Sequence, residues 1–267
     1  MKKFAGVLWR FLLFFVGWLV LVSLIPVPEC KNPAVWRFFA ELIPFLAMSG
    51  ISYLFWFLEK KNLPMCFPGN FRKGCAIGTA GGILWLLAAF LVMAVLGVLK
   101  IEGYEPVPML WLWFLSVFLN TVMQELLVRG YLYQMIKKNY HLSAAVLFTS
   151  CLFTLLHGGA FEAGLLPVLN VFSMSVFMSL VLEYTQSLTA PILMHFFWNC
   201  GGAVILGGVS LAEDYPHVFS VNFSGSEILS GGMCKMEGSI VVFLFNVLSA
   251  VFFAWRIYSS RKDAIVS

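Results

Sequence analysis

The feature that most constrains this chain is a succession of eight long apolar runs, at 5–25, 36–58, 75–99, 108–136, 143–158, 165–184, 188–208 and 238–257. Helices of roughly 17–25 apolar residues span a bilayer core of about 30 Å. A helix also satisfies its own backbone polar groups where no water can. Only 11% of the 267 residues are charged and 61% are hydrophobic, with a mean hydropathy of +0.90. A soluble chain carries about 25% charged residues. These runs imply an all-α, polytopic integral membrane protein of about eight transmembrane helices, forming one membrane domain over 1–267, and they exclude a single water-soluble core.

The opening "MKKFAGVLWRFLLFFVGWLVLVSLIPVPEC" has the basic start of a signal peptide. Its apolar run exceeds the roughly 7–15 residues of a signal h-region, and no A-x-A-like site follows. It reads as the first transmembrane helix. Connections such as "KKNLPMCFPGNFRKG" and "EGYEPVP" are rich in loop-forming Pro, Gly and Asn. Only 209–237 is a long connection, and it is rich in Gly, Ser and acidic residues.

Basic residues near span ends stay on the cytoplasmic side. With eight spans and an inside N-terminus, that side receives Lys2, Lys3, Lys60, Lys61, Arg72, Lys73, Lys137, Lys138, Arg261 and Lys262. The opposite side receives Lys31, Lys100 and Lys235, together with acidic residues that include Glu213, Asp214 and Glu237. Both termini are therefore expected in the cytoplasm, in a membrane read as a bacterial plasma membrane. Cys30 and Cys234 fall on the same external side, which leaves a disulfide between them open. The formal net charge of +4 is too small to argue from. The expected partners are the lipid bilayer and a membrane-proximal peptide or protein, not nucleic acid.

Ionisable residues inside spans are costly and are functional candidates by default. The fourth run carries Asn120, Gln124, Glu125 and Arg129 in "NTVMQELLVRG"; the fifth ends in "FTLLHGG" with His157; the seventh holds "PILMHFFWN" with His195 and Asn199. Helical spacing puts Asn120 with Gln124, Glu125 with Arg129, and His195 with Asn199 on shared faces. Gln124 and Glu125, adjacent in sequence, point about 100° apart. Counting at about 1.5 Å per residue places Glu125 and Asn199 each about 18 Å deep, His195 about 12 Å and His157 about 24 Å. Within boundary error one buried polar site can hold them all.

Two chemistries fit such residues. In one, a carboxylate and a His activate water while the other His and the Asn donate to an oxyanion. In the other, Glu125, His157 and His195 ligate a metal that polarises a carbonyl. Bland roles exist for each group alone: a self-neutralising Glu–Arg pair, or a His or Asn bonding a neighbouring helix. A polar transport path is a further class, although no repeat of two halves is visible.

The order "QELLVRG", "FTLLH", "HFFWN" resembles the three motifs of the CPBP family, named for CaaX proteases and bacteriocin-processing enzymes and also called Abi. The family pattern is E-E-x-x-x-R, F-x-x-x-H and H-x-x-x-N on an eight-helix membrane fold. Residues 108–205 carry the resemblance as a catalytic-core segment. It implies an intramembrane endopeptidase acting without a required metal or other cofactor. It also implies that the positions of Gln124 and His157 activate water, that His195 and Asn199 form the oxyanion site, and that Glu125 and Arg129 complete motif one.

The departure is Gln124, whose amide cannot act as a base. Three explanations stay open: Glu125 has taken over with His157, the chain is a non-catalytic relative that binds and regulates a membrane partner, or the amide was introduced to disable the enzyme. The catalytic expectation is Glu125, His157, His195 and Asn199, with Arg129 orienting Glu125.

Overall fold

A computed structural model describes residues 2–210 and 214–266, with the side chains of 261 and 263–266 outside that description. Glu213 and the Arg261 side chain, both used in the charge reading, lie outside the described residues. The helices are α1 (Lys2–Ser23), α2 (Pro33–Leu58), α3 (Phe71–Val95), α4 (Leu110–Glu125), α5 (Tyr131–Asn139), α6 (Leu142–Leu155), α7 (Gly158–Ala163), α8 (Leu165–Thr185), α9 (Thr189–Asn199), α10 (Glu227–Ser230) and α11 (Ile240–Val266). π-helical stretches follow α4 at Leu126–Gly130 and α9 at Cys200–Ile205.

This is an all-α polytopic membrane protein. Among the described residues six helices are long and apolar enough to cross a bilayer: Lys2–Ser23, Pro33–Leu58, Phe71–Val95, Leu110–Asn139, Leu165–Thr185 and Gly232–Ser260. The fifth and seventh apolar runs fold as shorter pieces. One is the 14-residue α6, and the other is the 11-residue α9 continued by its six-residue π stretch. The outward face of α1 suits lipid, since only Val7 and Phe14 of its 22 residues are buried. In water that face would be an apolar patch far larger than a soluble monomer carries.

The connections hold the one departure from helix among the described residues. β1 (Leu99–Tyr104) pairs antiparallel with β2 (Phe219–Phe223), with Leu99 opposite Phe223, Tyr104 opposite Phe219, and an irregularity between Ile101 and Gly103. The 209–237 connection thus contains β2, α10 and a 3-10 turn at Gly232–Gly238. Cys30 and Cys234 carry free thiols and belong to different units of the fold.

The chain folds as two compact units, each assembled from two segments: Met1–Cys66 with Pro108–Thr149, and Phe67–Val107 with Ser150–Ser267. In the first unit, α2 begins at the N-cap Asn32, whose side chain accepts from Ala34 N (2.9 Å) and Val35 N (3.3 Å), with Pro33 at its first position. A short polar cap satisfies otherwise orphaned N–H groups, and Pro loses nothing there. Buried Phe14 ties α1 to the unit through Phe55 and Tyr131, at centroid distances of 5.4 and 5.0 Å.

In the second unit, α3 lies on α9 along Gly74, Gly78 and Gly82. A Cβ at Gly78 would stand 2.7 Å from the Ala190 carbonyl oxygen, and one at Gly82 2.9 Å from Met194 Cα. Small residues let helices approach closely in a membrane, where packing must replace the hydrophobic drive. The α8–α11 pair adds polar bonds to the packing of Phe177 and Tyr184 against Phe253. Asn246 Nδ2 donates to Asn170 O and to Ser173 Oγ, both at 3.2 Å, and Asn170 Nδ2 donates to Glu237 O (2.8 Å) and Ser239 O (3.0 Å).

Candidate active site

Motif one lies wholly in the first unit, and its two central residues part company. Gln124 Nε2 donates to Asn120 Oδ1 at 2.6 Å, one turn back on α4. Glu125 Oε1 instead accepts from Arg129 Nη1 at 2.7 Å, and both side chains of that pair are completely inaccessible. The angular separation expected from adjacent helical positions is thus realised as two separate networks. The π stretch starts directly after Glu125 and contains Arg129. Such wide turns often occur at functional sites.

The Gln124 network continues to a residue the sequence reading passed over. Asn120 Nδ2 donates to Glu41 Oε2 at 2.8 Å, and Arg37 Nη1 donates to Glu41 Oε1 at 3.1 Å. Glu41 is buried, at 6% exposure, in the middle of apolar α2. The signal that could have found it is the Arg37–Glu41 pair itself: two charges four apart inside a span carry the same cost as Glu125 and Arg129.

Motifs two and three lie in the second unit, around Phe153. His157 follows α6 as the N-cap residue of α7, and its ring stands 4.2 Å from the Phe153 ring centroid. His195, on α9 and 2% exposed, meets the same ring edge-on at 5.8 Å. The buried Phe153, the first residue of "FTLLH", is therefore the wall against which both imidazoles are set. His157 Nδ1 lies 2.7 Å from Phe153 O. A carbonyl oxygen only accepts, so Nδ1 carries the hydrogen and Nε2 is the basic nitrogen of the neutral ring.

Asn199 is buried one turn beyond His195, at the end of α9. Between them in sequence, Trp198 anchors the helix. It stacks on Trp85 of α3 at 4.1 Å, and its Nε1 donates to Glu237 Oε1 at 3.3 Å. The other Glu237 oxygen accepts from Ser210 N at 3.1 Å, tying the long connection to the motif-three helix.

Among the described residues no three His, Cys, Asp or Glu side chains gather to hold a metal ion, and one Glu125 oxygen accepts from Arg129.

Residues 106–201 match a family model described as Rce1-like, type II CAAX prenyl endopeptidase Rce1-like. This is the CPBP family that the three motifs resemble, and the matched segment contains all three. Searches of curated proteins and of solved structures find no match to the chain.

Proposed function

We propose that this chain is an intramembrane endopeptidase that cuts a membrane-proximal peptide or a lipid-modified protein, with His157 as the base. The observation that carries the reading is the bond from His157 Nδ1 to Phe153 O, which fixes the tautomer with Nε2 as the basic nitrogen. Water attacks the scissile carbonyl carbon while His157 Nε2 removes its proton, and the carbonyl oxygen becomes an oxyanion. His195 and Asn199 donate hydrogen bonds to that oxyanion, a contribution of about 2.7–4 kcal/mol for a well-placed donor. As the tetrahedral species collapses the C–N bond breaks, and the proton passes from His157 to the leaving amine.

Glu125 neutralises Arg129 inside the helix, accepting from its Nη1 at 2.7 Å. The family match supports a peptidase of this class, and its printed name supports a prenylated peptide as one substrate type to test.

A second reading has its own observation: position 124 is an amide where the family pattern has its first Glu. On that reading the chain binds a membrane segment without cutting it. Purified protein with farnesylated and unmodified membrane-proximal peptides separates the two. The peptidase reading expects cleavage by the native chain that His157→Ala abolishes. Cleavage seen only after Gln124→Glu is the result that favours the non-cutting reading. The charge bias supports cytoplasmic termini, provided that α6 and α9 with its π stretch complete the eight crossings.

A further inference from the structure

The four side chains Arg37, Glu41, Asn120 and Gln124 form a hydrogen-bonded line with a direction. Ionised Glu41, paired with Arg37, can only accept. Asn120 therefore turns its nitrogen to Glu41 (2.8 Å) and its oxygen to Gln124. Gln124 must answer that oxygen with its own nitrogen, as it does at 2.6 Å. What remains is Gln124 Oε1, a buried atom with no hydrogen-bond partner among the described residues. An orphaned buried acceptor costs roughly 1–3 kcal/mol, so its persistence asks for a donor from outside the protein.

We infer that Glu41 is a positioning residue of motif one, acting through Asn120 to hold the Gln124 amide with its nitrogen inward and its carbonyl oxygen presented to a substrate N–H. The line tolerates a carboxylate at one end only. With carboxylates at both 41 and 124 and Asn120 turned as it is, its Oδ1 would face the carboxylate at 124. With an amide at 41 and a carboxylate at 124, every bond re-forms in reverse: Arg37 donates to position 41, position 41 to Asn120 Oδ1, and Asn120 Nδ2 to position 124. A carboxylate stands on the neighbouring helix α2, two hydrogen bonds from position 124. The part of this that concerns substrate rests on the peptidase reading; the direction of the line does not.

The test is a double-mutant cycle on the purified full chain in detergent, read by thermal unfolding. Gln124→Glu alone and Glu41→Gln alone should each lower Tm by about 3 °C or more, while the double variant returns to the native value. In an Asn120→Ala background the coupling should vanish and the two changes become additive. Additive losses in the native background would overturn the inference. Rescue that persists without the Asn120 amide would overturn it too, since it would mean direct repulsion between the two ends. Peptide cleavage gives the second readout: Glu41→Gln should lower kcat about tenfold or more through misplacement of the acceptor, with KM little changed. If the native chain cuts no peptide, the peptidase reading fails while the thermal cycle still decides the polarity of the line.

Discussion

The two halves of the motif set are held in place by opposite means. Around motif one, position is fixed by charge and hydrogen bonding: Glu125 by Arg129, and Gln124 by Asn120, Glu41 and Arg37. Around motifs two and three, position is fixed by rings and close backbone packing. Phe153 stands between two imidazoles, Trp198 lies on Trp85, and α9 is pressed to α3 over glycine. A polar network specifies the direction of each donor and acceptor but fails when one member is removed. Aromatic and glycine packing fixes where the imidazole rings lie, while the bond from His157 Nδ1 to Phe153 O sets that ring's tautomer.

Removing Arg129 is the hardest blow to this contrast. Arg129→Ala leaves the Glu125 carboxylate buried without its cation, and breaking a buried pair costs about 3–5 kcal/mol. Thermal unfolding and gel filtration in detergent should show a sharp loss of folded protein. Replacing both partners by Met should recover much of it, and retained cleavage in that double variant would confirm that Glu125 does not act on water.

The packing half is challenged next by Gly78→Ala, which drives a methyl against the Ala190 backbone. Overpacking of this kind costs about 1–3 kcal/mol, and cleavage should fall with stability because α9 carries His195 and Asn199. The smallest effect is expected for Trp198→Phe. It keeps a ring against Trp85 but loses the bond to Glu237, worth about 1 kcal/mol, and should shift Tm by only a few degrees.

Much of this arrangement was legible in the sequence because helical periodicity is rigid. The pairs Asn120–Gln124 and Glu125–Arg129 follow from a spacing of four, and both are bonded as the spacing requires. The match over 106–201 likewise falls on the segment that the motifs marked. The Arg37–Glu41 pair, four apart, was readable, but the bond from Asn120 to Glu41 was not, since spacing is silent about contacts between helices. The strands escaped for a related reason. Leu99–Tyr104 continues an apolar helix and Phe219–Phe223 sits in a Gly- and Ser-rich connection, so neither shows its pairing without the other. Membrane character was plain from composition, whereas the crossing count depends on α6 and α9, whose shorter lengths no run of apolar residues reveals.

The glycine seam of α3 has a consequence for inheritance. α3 contributes none of the proposed catalytic groups. Yet every coding change at Gly78 or Gly82 adds at least one carbon where α9 already stands. The lipid-facing positions of α1, by contrast, can exchange one apolar residue for another at little cost. Genetic drift should therefore run freely along the first helix and be stopped at these glycines, which guard the register of His195 and Asn199 from a neighbouring helix.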